Sequence, residues 1–395
     1  MARARGNGRP GDGHISRITR LELENWRNFR RVDIQTEGRV FLVGPNASGK
    51  SNLLDVNRFL RDIVAVGGGF QAAVERRGGV STIRNLAARR NPHVGMKVTL
   101  GAEAGLPTWT YALEFGRTRQ GQPEVKREEV TRDGKTIVAR PDTDDERDPA
   151  RLSQTFLEQV NVNRAFRQVA DFLLSVRYLH IVPQLVRDPD RSVGRSNDPY
   201  GGDFLEQIAG TQVQTRRARL RRIREALEVA VPQLQDLELD YDARGAPHLR
   251  GKYEHWRPQG AWQSEADFSD GTLRLMGLLW ASMDGSGPLL LEEPEQSLHP
   301  EVVRYIPQML GRLQVRRSRQ IWVSTHSPAL LEDPDIGLDE VLLLTPASEG
   351  TDVRQAADVE EVSTLLAGGT TLADAVLPQT RPRGVEQLAF FPGGR

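Results

Sequence analysis

Two stretches set chemically capable side chains at spacings suited to a phosphate. Residues 44–51 read GPNASGKS and fit G-x-x-x-x-G-K-[ST], between an apolar strand and a helix. Glycines there let backbone N–H groups close around phosphate oxygens, and the helix start adds the positive end of its dipole. Gly44, Pro45, Asn46, Ala47, Ser48, Gly49 and Asn52 make up this cradle. Lys50 is placed to hold the β- and γ-phosphates of a nucleotide, and Ser51 to put its hydroxyl on Mg2+. Without the flanking elements the same residues would be a glycine turn.

Residues 288–301, PLLLEEPEQSLHPE, run from a buried strand directly into Glu292 and Glu293. Adjacent carboxylates at a strand end are costly unless a cation or a proton needs them. Beside a phosphate loop they read as the second half of a nucleotide site. Glu292 is expected to reach magnesium through water, and Glu293 to orient or deprotonate the attacking water. STHSP sets His326 at the end of the next strand, where a neutral imidazole could donate to the γ-phosphate or to water. FSDGTLR sets Ser269, Asp270 and Gly271 at the start of an apolar helix. Two readings stay open for it: a helix N-cap, or a second anion site built from hydroxyl, N–H groups and helix dipole.

These residues need elements to carry them. Short alternating runs over residues 15–43 predict strands arriving at the glycine loop. SNLLDVNRFLRDIVAV has helical spacing, with Leu53, Leu54, Val56, Phe59, Leu60 and Ile63 on one face. From Val94 to Arg140 the alternation predicts an antiparallel sheet with a hairpin at Asp133-Gly134. Residues 151–177 and 203–231 look helical, and a helix is expected from Val302 to about Leu313. PLLLEE, RQIWVSTH and DEVLLLTP read as buried strands of a parallel sheet covered by helices. The expected fold class is α/β: a P-loop NTPase with an antiparallel β lobe and a helical insertion.

Composition narrows the classes. The 395 residues suffice for a large α/β domain with insertions, and zero cysteines exclude disulfides and thiolate zinc sites. The N-terminal MARARGNGRPGDGH is basic and glycine-rich with no apolar run behind it, so it reads as a flexible tail and not a secretory signal. No apolar run reaches the ~18 residues of a membrane span. A soluble, cytoplasmic protein without a membrane partner is expected. Fifty-three basic and 53 acidic residues cancel, which leaves nucleic acid open, since a basic stripe can sit on a neutral protein.

The order GPNASGKS, SDGT, LLLEEPE, STHSP resembles the ATP-binding-cassette ATPases of the SMC, RecF and OLD type, and LELENWRNFR is similar to the strand and aromatic turn that open them. The resemblance covers residues 15–65 and about 262–345. It implies ATP as the nucleotide, Mg2+ as cofactor, and hydrolysis. It maps Asn46, Gly49, Lys50 and Ser51 to the P-loop and Glu292 and Glu293 to the Walker B end. It also maps Ser297 to His299 to the D-loop and His326 to the switch histidine. Ser269 and Gly271 would cap the phosphates of a second copy, so that ATP closes a homodimer. Departures are SDGT for the commoner Ser-Gly-Gly type, Glu292 where Asp is usual, and no secure Q-loop glutamine, with Gln154 and Gln184 as candidates.

The implied organisation is a tail (1–14), an N-terminal ATPase lobe with P-loop and antiparallel sheet (15–145), and a mainly helical insertion (146–260). A C-terminal ATPase lobe (261–345) and an extension (346–395) follow. The chain has no room for a long coiled coil, and no metal-binding nuclease set stands out after His326. It resembles the stand-alone RecF/OLD-type ATPases, some of which work with a separate nuclease in anti-phage defence. The alternatives are the nucleotide-binding subunit of a membrane transporter and an ATP-sensing scaffold with little turnover.

Two further surfaces are candidates. In QTRRARLRRIREALEVAV, Arg217, Arg221 and Arg224 line a face beside the apolar Leu220, Ile223 and Leu227. That face is either solvated or a DNA-phosphate contact. Near the C-terminus, Gln387, Leu388, Phe390 and Phe391 resemble the sliding-clamp-binding peptide, and the other reading is a tail packed on its own domain.

Overall fold

The computed structural model describes residues 15–88, 91–102, 108–188, 198, 200–254 and 261–381. Its centre is a six-stranded sheet in which Arg39–Val43, Ile321–Thr325, Leu289–Glu292 and Arg177–Leu179 lie side by side and parallel. On the other flank Val341–Ala347 pairs parallel to Arg39–Val43, and Gly350–Gln355 closes the edge as an antiparallel hairpin. Successive side chains of a strand point to opposite faces. Val40, Leu42, Leu290, Trp322 and Leu342 therefore enter one core, and Phe41, Val43, Leu291, Val323 and Leu343 the other. Burial on both faces explains why these strands read as continuous apolar runs.

The first core is roofed by the helix Lys50–Val64, whose predicted apolar face is fully buried. Over it lies a second six-stranded sheet, all antiparallel, made by Arg17–Trp26, Phe29–Gln35, Val94–Gly101, Trp109–Arg117, Pro123–Arg132 and Lys135–Arg140. Its last hairpin turns at Asp133 and Gly134, as expected. Both have positive φ, 49° and 75°, the pair of left-handed residues a two-residue hairpin needs. The second core packs Asp270–Met283, Ile306–Arg317 and Leu372–Val376 against the opposite sheet face.

The mainly helical expectation for 146–260 holds only in part. Helices Arg167–Leu174, Phe204–Ala209 and Val213–Leu227 are present, but Arg177–Leu179 joins the central sheet. Leu234–Tyr241 and Pro247–Tyr253 pair antiparallel, and with Ala261–Ser264 they make a separate three-stranded sheet. Residues 151–177 are likewise less helical than their spacing predicts. The buried carboxylate of Glu128 accepts from the N–H of Phe156 at 2.7 Å and of Leu157 at 3.0 Å, and holds this backbone out of a helix. The helix expected from Val302 is divided into Pro300–Val303 and Ile306–Arg317. Residues 1–14 and the clamp-like peptide at 387–391 lie outside the described residues.

Candidate functional site at the sheet edge

Three neighbouring parallel strands end together. Register pairs Glu292 with Ser324 and Thr325 with Val43, so residues far apart in sequence meet at one carboxyl-end edge. That edge is where open α/β sheets bind ligands. The loop after Val43 reverses through Ala47 (φ 63°) and Gly49 (φ 97°) into the helix Lys50–Val64. Gly44 is enclosed: a Cβ there would lie 2.5 Å from Ser48 Oγ and 2.7 Å from the Leu344 carbonyl oxygen.

Lys50 is buried, and its Nζ donates to the carbonyls of Gly44 at 2.8 Å and Pro45 at 3.2 Å. Burial lowers its pKa, and the charges of Glu293, Glu295 and Glu292 oppose that shift. Glu293 Oε1 is 3.9 Å away. Ser51 Oγ donates to Glu292 Oε1, which joins the two groups expected at magnesium. Hydroxyl and carboxylate oxygens suit a hard cation, and a P-loop magnesium needs only one or two protein ligands, the rest being phosphate and water. Among the described residues no cluster of three or more His, Cys, Asp or Glu side chains could form a protein-only metal cage.

Glu293 takes a left-handed conformation, φ 42°, which L-residues adopt at a cost. Its N–H donates to the Ser324 carbonyl at 3.0 Å, and its carboxylate accepts from Gln296 Nε2. His326 Nδ1 lies 3.1 Å from Glu293 Oε1. The nitrogen facing a carboxylate carries the proton, so Nε2 of a neutral ring is an acceptor. His326 Nε2 could then take a hydrogen bond from water.

Sequence reasoning missed three groups. Tyr178 donates its hydroxyl to Glu292 Oε2, with the Arg58 guanidinium 4.2 Å above its ring. Burial, then the Glu292 charge, pushes the phenol pKa up, so it stays protonated and donates. Neither Gln154 nor Gln184 makes a side-chain hydrogen bond to these groups among the described residues, and both are exposed. Glu295 is buried and accepts from Thr325 Oγ1 at 2.6 Å and from the His326 N–H at 3.4 Å, which ties the acidic turn to the histidine loop. Burial raises its pKa. Third is Asn28, whose amide touches the loop from outside. The EEPE run was the one available signal for Glu295. Tyr178 had none.

The SDGT segment realises the N-cap reading. Ser269 Oγ accepts from the Thr272 N–H at 3.1 Å, and Asp270 pairs with Arg187 at 2.6 Å. Gly271 is pressed onto the turn after Glu293, where a Cβ would lie 2.4 Å from the Ser297 carbonyl oxygen. Among the described residues, Ser269 hydrogen-bonds to Thr272 and Asp270 pairs with Arg187, and neither side chain bonds to residues 44–52.

A strand, glycine loop and helix, with acidic groups and a histidine on the adjoining strand ends, define a P-loop NTPase fold. Residues 39–332 match the family described as "AAA domain, putative AbiEii toxin, Type IV TA system", and the chain belongs to that family. Its fold is similar to that of an SMC head bound to the C-winged helix domain of ScpA, with 13% identity and a TM-score of 0.51 over 85% of this chain and 96% of that one. It is also similar to an Smc head domain with an extended coiled coil bound to the C-terminal domain of ScpA, from Pyrococcus furiosus. That likeness has 11% identity and a TM-score of 0.50 over 85% of this chain and 95% of the other. At such identities the likeness is one of fold. No curated protein matches the sequence.

Proposed function

We propose that the chain binds ATP with magnesium and hydrolyses it, and that ATP closes two copies into a dimer that controls DNA or a partner nuclease, in genome maintenance or anti-phage defence. The observation that carries the ATPase reading is the meeting of Lys50, Ser51, Glu292, Glu293 and His326 at one sheet edge. The cradle and Lys50 would hold the triphosphate, and Ser51 and Glu292 the magnesium, which neutralises charge developing on the phosphates. Glu293 would take a proton from, or align, the attacking water, and His326 would hold Glu293 in place and steer that water. Ser269 and Gly271, at the start of the helix Asp270–Met283, would cap the nucleotide held by a second copy.

Glu293→Gln is expected to keep ATP binding, lower turnover by about 10²–10⁴-fold, and accumulate an ATP-dependent dimer. Phosphate release measures the turnover, light scattering the dimer and a fluorescent ATP analogue the binding, and wild-type turnover in that variant removes Glu293 from the role.

A further inference from the structure

The turn at Arg27 and Asn28 belongs to the motif that opens the chain, yet the phosphate chemistry above makes no use of its side chains. Asn28 spends its whole amide in three directions. Nδ2 donates to the Ser48 carbonyl at 2.9 Å and to Thr351 Oγ1 at 2.8 Å, while Oδ1 accepts from Asn52 Nδ2 at 2.8 Å. The carbonyl partner settles which atom is nitrogen. Two partners flank Gly49, Lys50 and Ser51 on either side. The third sits on Gly350–Gln355, the edge hairpin of the C-terminal segment.

Backbone and space close the same joint. The Thr351 N–H donates to the Asn28 carbonyl at 2.8 Å, and Thr351 is 6% exposed. A Cβ on Gly49 would lie 2.1 Å from Asn28 Nδ2, and one on Gly350 would lie 2.2 Å from the Asn28 carbonyl oxygen. Both glycines have positive φ, 97° and 141°. A side chain at Gly350 would meet the Asn28 backbone, and one at Gly49 would push the Asn28 amide out of place.

We propose that Asn28 is a positioning residue for the phosphate loop, and that Thr351 is the outer half of the brace, which couples the C-terminal hairpin to nucleotide binding. The inference rests on the nucleotide reading above. Its physical basis is the rigid peptide unit. The Ser48 carbonyl and the Gly49 N–H belong to one planar trans peptide and point opposite ways. Drawing the carbonyl outward to Asn28 therefore aims the Gly49 N–H into the cradle, where a phosphate oxygen would accept it. The bond to Asn52 anchors the first helical turn, which Trp26 Nε1 also holds through the Asn52 carbonyl at 2.9 Å. Thr351 occupies the second amide hydrogen and keeps Asn28 from rotating away. Coupling between two sites is reciprocal, so nucleotide must in turn steady the hairpin.

The test measures the affinity of a fluorescent ATP analogue with magnesium in a Glu293→Gln background. Asn28→Ala is expected to bind about tenfold more weakly, and Thr351→Val about threefold or more, each loss being of the order of one hydrogen bond. Thr351→Ser, which keeps the hydroxyl, binds as the parent does. The analogue slows amide exchange at Gly350 and Thr351 in the parent and does so less in Thr351→Val. A folded Thr351→Val with parental affinity, or exchange indifferent to the analogue in the parent, overturns the brace. Lys50→Ala serves as the control. If it binds like the parent, or if the parent does not bind, the nucleotide reading falls and the brace falls with it.

Discussion

At the residue scale, Glu292 illustrates how neighbours set a carboxylate's use. A Glu in place of the usual Asp has an extra methylene and one more torsion to restrain. Here both oxygens are held, one by Ser51 and the other by Tyr178. Groups that orient a metal's ligands typically contribute about 10–100-fold in metal affinity. Tyr178→Phe keeps the ring beneath Arg58 and removes only the hydroxyl. It should raise the magnesium needed for half-maximal nucleotide binding by about that factor, with little change in melting temperature. An unaltered magnesium titration would leave Tyr178 a packing residue.

At the element scale, the helix Asp270–Met283 and the turn after Glu293 are locked at Gly271. Helix propensity alone would favour alanine by about 1 kcal/mol in a helix interior. Contact reverses the sign, because a methyl 2.4 Å from the Ser297 carbonyl meets backbone that cannot rotate aside. Gly271→Ala should therefore lower the melting temperature and, if ATP closes two copies as proposed, impair that dimer more than ATP binding itself. Calorimetry and light scattering check the two effects separately. The strand order Gly350–Gln355, Val341–Ala347, Arg39–Val43, Ile321–Thr325, Leu289–Glu292, Arg177–Leu179 makes this lock matter. It brings the turn beside the phosphate loop through the strand that carries His326.

At the whole-molecule scale, the balanced net charge hides a local excess. Leu220, Ile223 and Leu227 are buried as their spacing predicts, which leaves Arg217 and Arg221 exposed on Val213–Leu227. Arg224 is half-buried and 3.7 Å from Glu228, so it is the weaker candidate. If the closed dimer holds DNA with this face, Arg217→Glu with Arg221→Glu abolishes DNA binding. Binding by the wild type then falls steeply with salt, each phosphate contact adding about 0.9 to the logarithmic slope. Gel shifts over a salt series decide it, and DNA binding by the double variant removes the face from consideration. No helix among the described residues is long and apolar enough to cross a membrane.

Much of the site was legible because its chemistry is local in sequence. GPNASGKS places glycines, a lysine and a hydroxyl within one turn, and two carboxylates follow a buried strand without a break. The helix face of Lys50–Val64 and the Asp133-Gly134 hairpin were legible for the same reason, since period and turn chemistry act between near neighbours. Tertiary structure alone decided that Tyr178 meets Glu292, that Asn28 joins Ser48 to Thr351, and that Glu128 unwinds an expected helix. Those pairs are 114, 20, 323 and 28 residues apart and are set by which strands lie side by side, a choice no local periodicity records. Sequence spelled out the reagents; the crossing of parallel strands chose their neighbours.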